Sequence, residues 1–350
     1  MIKHISGLNG IRAIAVLMVI VYHRFPSDHF LKIMPIGHFG VDIFFVLSGY
    51  LISRILINGV TKIENNAATA FQLIKSFVIR RSLRIFPIYY LLLFILYIND
   101  GIVGNSFREN FLWYFFYGSN FLVYFEGKWF GCLAHLWSLA VEEQFYLVWP
   151  FLVLVLFRNR ILSLLTLTII VGTLSPLFID GITYVLTISC INAFGIGALL
   201  AYVELRRPER QTAFVKTVNV LGVLSLVLIF VHYFVVALPV FSDRLLVSII
   251  AVALIAYCRF HQESFWVTRI LENKMLSFIG LISYGVYLYH NVFPRYWTAI
   301  LSRLHIETPA TQGQFSYIEF VIQTGFVILV SYLSWILIEK PIAKWKDKIS

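Results

Sequence analysis

Two ionisable side chains, Arg12 and His23, lie in the first strongly apolar stretch of the chain, residues 8–25. On an α-helix their eleven-residue separation is about 16 Å of axis and returns to nearly the same face. Such a helix carries a cation near one end and an imidazole near the other. Ionisable residues inside a membrane segment are expensive and often mark a functional site. The alternative is that Arg12 extends to the inner interface and that His23 ends the helix at the outer one.

Two acidic residues are candidates to assist the imidazole of His23. Asp42 begins the second apolar stretch, and Glu142 lies about two helical turns into the stretch that starts near His135. A carboxylate beside an imidazole orients the ring and raises its basicity, as a general base that deprotonates a hydroxyl requires. The alternative for Asp42 is a helix N-cap. Of the remaining histidines in apolar stretches, one lies in the outer part of its stretch (His290), and three at helix ends receive no role (His38, His135 and His232).

A second chemistry is indicated by three arginines, Arg80, Arg81 and Arg84, which directly precede the apolar run 85–90. Arg80 and Arg84 are one helical turn apart, so two guanidinium groups can converge on one phosphate-bearing ligand. The alternative is an anchor beside anionic lipid headgroups.

A ligand that reaches from the Arg80–Arg84 cluster to His23 would pass Arg12, which supplies a further positive charge. The pair Ser48-Gly49, in the middle of the second apolar stretch, would let a backbone or a thin ligand approach closely. This arrangement suggests a phosphorylated carrier whose long thin arm delivers an acyl group from the arginines to His23.

The composition predicts the class of protein that must position these residues. Hydrophobic residues make up 59% of the 350 and charged residues 13%, and the mean hydropathy is +0.82. Because soluble domains carry about a quarter charged residues, the chain is predicted to be an all-α, polytopic membrane protein in a lipid bilayer. The three cysteines have neither metal-ligand spacing nor a disulfide pattern, so no metal is expected.

Windows of about 20 apolar residues predict about ten transmembrane helices, with a short aromatic piece at 111–125 that does not cross. The predicted helices are 8–25, 38–58, 82–99, 135–157, 161–179, 183–204, 217–238, 244–258, 277–298 and 317–338. We expect one membrane domain over residues 1–350, with no fused soluble domain.

The distribution of Lys and Arg predicts the orientation. With the N-terminus inside, 20 of the 28 basic residues lie on the inner side and 7 on the outer side. Both termini are then cytoplasmic, and residues 100–134, with Cys132, form an outer loop that holds a re-entrant or surface-lying segment. The net charge of +10 is therefore attributed to topology and not to nucleic-acid binding.

Six sequence blocks, in this order, resemble acyltransferase family three, whose multi-pass membrane proteins move acetyl or other acyl groups from coenzyme A onto sugars and related acceptors. The blocks are Gly7-Leu8-Asn9-Gly10-Ile11-Arg12-Ala13 with Val21-Tyr22-His23; Gly40-Val41-Asp42-Ile43-Phe44-Phe45 with Ser48-Gly49-Tyr50; Arg80-Arg81-x-x-Arg84-Ile85-x-Pro87-x-Tyr89-Tyr90; Trp137 to Tyr146; Ser283 to His290; and Glu339-Lys340-Pro341.

The resemblance implies that His23 is central to acyl transfer, that Arg12 is its functional partner, and that the Arg80–Arg84 cluster faces coenzyme A. Many relatives have aspartate where this chain has Asn9, which bears on a local interaction at the helix start. Some relatives carry a fused extracytoplasmic hydrolase-like domain. Since none is expected here, any second reaction step would need a separate partner protein.

These observations predict a membrane O-acyltransferase of the bacterial inner membrane that uses acetyl-CoA and acts on a hydroxyl of a surface or secreted glycan or a glycolipid. His23 would be the general base or would itself accept the acyl group, with Asp42 or Glu142 orienting it. The donor would meet Arg12, Arg80, Arg81, Arg84 and Ser48. The alternative functions are a proton-coupled transporter, in which the same buried groups form a proton relay, and a structural scaffold.

Overall fold

The computed structural model of the chain describes residues 5, 7–99, 106–238, 242–260 and 266–346. Within these ranges every regular element is helical and no strand occurs, which confirms the all-α prediction. The two chain ends and the first part of the predicted outer loop, residues 100–105, lie outside the described residues.

Among the described residues, six helical segments are long and apolar enough to cross a membrane: Ile36–Glu64, Ala70–Ile98, Gly131–Leu156, Thr187–Arg206, Pro208–Phe234 and Tyr317–Lys344. A shorter apolar helical segment covers Ile161–Leu177. The multi-pass character is therefore confirmed, whereas the number of about ten crossings stays a prediction.

The α-helices follow one another along most of the described chain. They are α1 (Leu8–Arg24), α2 (Ile36–Glu64), α3 (Ala70–Ile98), α4 (Ser106–Glu109), α5 (Phe111–Phe115), α6 (Ser119–Glu126), α7 (Leu136–Phe151), α8 (Ile161–Leu174), α9 (Thr187–Arg206), α10 (Gln211–Phe234), α11 (Asp243–Phe260), α12 (Trp266–Leu271), α13 (Lys274–Leu281), α14 (Ser283–Tyr289), α15 (Phe293–Arg303), α16 (Tyr317–Ser334) and α17 (Lys340–Lys346). Single π-helical turns extend α7 over Leu152–Leu156 and α16 over Trp335–Glu339.

Helix α3 begins twelve residues before the predicted start at 82. The Thr69 side chain accepts a hydrogen bond from the backbone N–H of Gln72, whose side chain accepts one from the N–H of Thr69. This capping box starts the helix at Ala70. The three arginines of the basic cluster consequently lie within α3 rather than in front of it, on a continuous helical surface.

The predicted single helix 277–298 is wrong. The chain forms three short helices, α13, α14 and α15, with breaks at Ile282 and at 290–292. Pro294, in the first turn of α15, cannot donate a backbone hydrogen bond and so favours a helix start there. The second break leaves backbone carbonyl groups near the end of α14 available to side chains, and His290 lies at this point.

The aromatic piece 111–125 folds as the two short helices α5 and α6, and neither is long enough to cross a membrane. The hydroxyl of Tyr89 in α3 donates to the carbonyl oxygen of Tyr114, 2.8 Å away. The segment is thereby held against the side of the bundle.

Helix α2 lies in the middle of the bundle and packs against α1, α7, α9 and α11. At Gly49 an added Cβ atom would lie 2.1 Å from the carbonyl oxygen of Phe194, so the backbones of α2 and α9 touch. This contact confirms the predicted close approach at Ser48-Gly49 and identifies a neighbouring helix as the group that approaches. Gly49 makes this contact with α9, whereas the side chain of Ser48 lines a cavity described below.

Candidate active site

His23 lies in the last turn of α1 and is exposed. Its Nδ1 atom is 2.9 Å from the backbone carbonyl oxygen of Val19, one turn earlier. A carbonyl oxygen only accepts, so this contact assigns the ring proton of a neutral His23 to Nδ1. The Nε2 atom then carries the lone pair that a general base or a nucleophile needs.

The ring nearest to His23 belongs to His290, which is 1% exposed. The Nδ1 atom of His290 lies 2.6 Å from the carbonyl oxygen of Tyr287 and therefore donates to it. The Nε2 atom of His290, left as an acceptor, lies 3.4 Å from Nδ1 of His23. The neutral partner of the His23 ring is thus another imidazole and not a carboxylate.

A third imidazole, that of His135, extends the row, with its ring centroid 4.7 Å from that of His290. The two nitrogens of His135 face the carbonyl oxygens of Cys132 and Leu288, at 2.9 and 3.2 Å. A neutral ring can donate to only one of these carbonyl groups. His135 received no role from its position in the sequence, because nothing in the local pattern indicates that the broken helix α14 lies opposite it.

Asp42 does not join this row in the described part of the chain. Its carboxylate is fully buried and lies 2.8 Å from Nε of Arg244, while the hydroxyl of Tyr184 donates to it at 3.3 Å. Arg244 also donates to the carbonyl oxygens of Ser189 and Tyr184. The contacts of Asp42 therefore connect α2 with α11, and none that the structure describes reaches His23.

Glu142 also lies away from the imidazole row. One oxygen of its carboxylate accepts hydrogen bonds from the hydroxyl groups of Ser48 and Tyr146. Together with Arg12 these side chains line an internal cavity of about 80 Å³. Glu142 and Ser48 are thus brought together, but in the middle of the bundle rather than beside His23.

This internal cavity adjoins a larger one of about 750 Å³, because Leu51, Arg81 and Arg84 line both. The larger cavity runs along α2 and α3. Its cationic side chains are Arg54, Lys62, Arg80, Arg81 and Arg84. The predicted basic cluster therefore faces a space large enough for a ligand, with a narrower continuation into the bundle.

Arg12 lines the narrower cavity, and Arg81 lies where the two cavities meet. Arg12 donates to the side-chain oxygen of Asn9, 3.1 Å away, so the asparagine at this position still holds the arginine. The guanidinium of Arg81 lies over the ring of Tyr146, 5.0 Å from its centroid, an arrangement that favours a cation near an aromatic face. The guanidinium groups of Arg81 and Arg84 thus border both cavities, and that of Arg12 lies further into the bundle.

Tyr287 connects the internal cavity with the imidazole row. Its hydroxyl contacts that of Ser138 and lies 3.2 Å from the carbonyl oxygen of His135. Its own carbonyl oxygen accepts from His290. The cavity that begins at the arginines is therefore separated by the side chain of Tyr287 from His290, whose ring contacts His23 at the opposite end of α1.

Lys32 places a cation beside the exposed end of α1, in the connection between α1 and α2. Its Nζ atom lies 4.5 Å from the centroid of the Tyr22 ring. Partial burial lowers the pKa of Lys32 below its ordinary value. Besides Arg24 in the last turn of α1, this end therefore carries a partly desolvated ammonium.

Comparison with known proteins assigns the chain to a family. A family model described as an acyltransferase domain matches residues 5–339, and the chain belongs to that family, acyltransferase family three. The resemblance seen in the sequence blocks is thereby confirmed. No solved structure matches the chain.

Several curated relatives are similar over nearly the whole chain. The peptidoglycan O-acetyltransferase OatA of Listeria monocytogenes is 32% identical over 98% of this chain and 56% of its own length. The protein named "Putative O-acetyltransferase SACOL0978" of Staphylococcus aureus is 30% identical over 98% of this chain and 58% of its own. The chain spans about 55 to 58% of the length of such relatives.

Proposed function

We propose that the protein is a membrane O-acetyltransferase that moves an acetyl group from acetyl-CoA to a hydroxyl group of a surface or secreted glycan. The observation that carries this proposal is the continuity of the two cavities, from the arginines of α3 to Tyr287 beside the imidazole row. The relatives named as O-acetyltransferases support the acetyl group, and the one named for peptidoglycan supports a carbohydrate acceptor.

The donor would enter the larger cavity. Arg80, Arg81 and Arg84 offer guanidinium groups that bind phosphate in a bidentate manner. The thin pantetheine arm of coenzyme A fits the narrower cavity, where Arg12 and Ser48 offer polar contacts. We assign Glu142 to this cavity as well, because its contacts with Ser48 and Tyr146 fix the shape of the passage.

The chemical step belongs to His23. Its Nε2 atom takes the proton of the acceptor hydroxyl, and the hydroxyl oxygen forms a bond to the acetyl carbonyl carbon. The carbon–sulfur bond of the thioester then breaks, and the thiolate of coenzyme A leaves and takes up a proton. The Nδ1–H of His23 is donated to the carbonyl oxygen of Val19, with Nε2 of His290 as a second acceptor, so Nε2 of His23 stays the basic nitrogen.

The second route, in which Nε2 of His23 first accepts the acetyl group, uses the same ring orientation. The two routes differ in one intermediate, a His23 side chain that carries the acetyl group. Rapid quenching of the purified protein with radiolabelled acetyl-CoA, before the acceptor is added, retains label on the protein only in the second route. In the first route no label is retained on the protein before the acceptor arrives.

The proposed location is the bacterial inner membrane, with both termini and the arginine cavity on the cytoplasmic side and His23 on the outer side. The excess of Lys and Arg on one side supports this orientation. Cytoplasmic acetyl-CoA would then acetylate an acceptor on the other side of the membrane without passing through it.

A proton-coupled transporter is the second candidate. Transporters of this kind bind their substrate between discontinuous helices in corresponding positions of two repeats. In the described residues the helix is interrupted between α13 and α15, whereas α2 and α3 each run unbroken for 29 residues. The broken helix alone does not favour transport over transfer.

The test uses purified protein in lipid nanodiscs with radiolabelled acetyl-CoA and a glycan acceptor. We expect label in the glycan and release of free coenzyme A in equal amounts, and no transfer by the His23→Ala variant. Binding of acetyl-CoA without any transfer to glycans, combined with proton-driven uptake in sealed vesicles, would support the transporter instead.

A further inference from the structure

We propose that a surface cavity bordered by Glu109, Glu126 and Trp129 is a subsite for a carbohydrate acceptor, an inference that rests on the proposed function. The cavity has a volume of about 470 Å³ and lies between α4 and the segment that follows α6. This volume falls within the range of about 300–1,000 Å³ that small-molecule sites occupy.

The side chains of this cavity match the chemistry of a sugar. Trp129 is 46% exposed, so the face of its indole ring can pack against the C–H groups of a sugar ring. The carboxylates of Glu109 and Glu126 accept hydrogen bonds from hydroxyl groups. A flat apolar surface beside several acceptors distinguishes a polyhydroxylated ring from a lipid chain or a purely ionic ligand.

The charge of the cavity argues against a phosphate-bearing ligand. Nζ of Lys128 lies 3.1 Å from a carboxylate oxygen of Glu126, which leaves Glu109 as the other formal charge of the lining. The net charge is thus negative, whereas the donor cavity along α3 is lined by five cationic side chains. The two cavities would take ligands of opposite character, a neutral or amino sugar here and the phosphorylated donor there.

A line of aromatic rings leads from this cavity to the proposed base. Successive ring centroids are 6.5 Å apart from Trp129 to His38, 5.6 Å from His38 to Tyr22 and 5.9 Å from Tyr22 to His23. Tyr184 stacks on His38 at 4.3 Å and holds its ring in place. An oligosaccharide anchored at Trp129 could follow these rings and bring a hydroxyl of a later sugar unit to Nε2 of His23.

The cavity is also connected rigidly to the imidazole row. Gly131 borders it, and the next residue, Cys132, offers its carbonyl oxygen to both Nδ1 of His135 and the side-chain amide of Asn291. Asn291 directly follows His290. These hydrogen bonds connect the border of the cavity with His135 and with the residue next to His290.

The test measures binding of a neutral oligosaccharide, the N-acetylglucosamine tetramer, to the purified full-length chain in nanodiscs without donor. Trp129→Ala should weaken binding about tenfold, which equals about 1.4 kcal/mol, and Trp129→Phe should restore most of it because the aromatic face remains. Trp113→Ala is the matched control, since Trp113 is exposed on α5 but does not border the cavity.

Kinetics with the same tetramer provide the second readout. We expect Trp129→Ala to raise the KM for the tetramer while kcat at saturating acceptor and the KM for acetyl-CoA stay unchanged. Equal binding by wild type and Trp129→Ala, equal losses in both tryptophan variants, or no binding of the tetramer by wild type would each overturn the subsite. If the subsite is overturned but the protein still transfers acetyl groups to another acceptor, the proposed function is retained. If the tetramer binds at Trp129 but no acetyl group is transferred to any glycan, the proposed function alone is contradicted.

Discussion

The Nε2 atom of His290 lies 3.4 Å from the Nδ1 atom of His23, which joins the end of α1 to the break after α14. The carbonyl oxygen of Tyr287 fixes the proton of His290 on its other nitrogen. A hydrogen-bonded partner on Nδ1 orients a catalytic imidazole and sets its tautomer, as the aspartate does in serine hydrolases. A neutral imidazole in that place orients the ring without burying a negative charge in the membrane.

The first prediction is that His23→Ala abolishes transfer while acetyl-CoA still binds. Loss of a general base lowers the rate by about 10²–10⁴-fold, and the proposed phosphate contacts lie at the other end of α1. Both quantities are measured on the same purified, folded protein. His29→Ala is the control, because His29 is another imidazole of this end that contacts Tyr317 and not the row. Near-normal turnover in His23→Ala would remove the imidazole from the mechanism.

The second prediction concerns His290. His290→Ala removes the acceptor that shares the Nδ1–H of His23 with the carbonyl oxygen of Val19. It should lower kcat about tenfold, the scale of one hydrogen bond, with the KM for acetyl-CoA unchanged. His290→Gln offers an amide oxygen as acceptor and should recover part of the rate. If alanine and glutamine reduce kcat equally and lower the thermal midpoint equally, His290 acts through packing and does not position His23.

The helical class and the basic cluster could be predicted from sequence, because hydropathy and charge are local properties of a segment. The partners of the ionisable residues could not. Asp42 was expected near His23, since both lie at the same end of neighbouring helices, yet its carboxylate turns to Arg244 on α11. No periodicity within α2 indicates which of its neighbours a residue on a given face will meet.

The break between α13 and α15 was missed for a related reason. The window 277–298 is mostly apolar, and its hydropathy therefore predicts one helix. Pro294 favours the new helix start after the second break, and α13 packs so closely on α1 that an added Cβ atom on Gly280 would lie 1.8 Å from the carbonyl oxygen of Asn9. The glycine was visible in the sequence, but its close neighbour was not.

The third prediction separates a structural from a catalytic role for Asp42. Asp42→Asn leaves the buried guanidinium of Arg244 without its ion-pair partner, which should cost about 3–5 kcal/mol of stability. We expect a lower thermal midpoint in detergent, and partial recovery in the double variant Asp42→Asn with Arg244→Met. A variant of normal stability with a much reduced kcat would instead support the predicted role in orienting His23.

The fourth prediction tests the orientation. Cys132 is 3% exposed, and all three native cysteines are buried. They should therefore react little with a thiol reagent, so that labelling reports on introduced cysteines. A membrane-impermeant maleimide should label Asp28→Cys in intact spheroplasts, because this exposed residue follows His23. Lys75→Cys, exposed at the start of α3, should react only after permeabilisation. The reverse pattern would invert the proposed topology.

The fifth prediction concerns the donor. Arg84 is exposed and borders both cavities, so Arg84→Ala should weaken acetyl-CoA binding by about 1.5–3 kcal/mol, the scale of a hydrogen bond to a charged group. Protein level and thermal midpoint should stay normal.

Lys75→Ala removes a charge from the same helix outside the cavity and controls for the general effect of positive charge on an anionic ligand. Binding measured by calorimetry at several salt concentrations decides between the two effects. Unchanged affinity in a folded variant with alanine at Arg80, Arg81 and Arg84 would reduce the cluster to a membrane anchor.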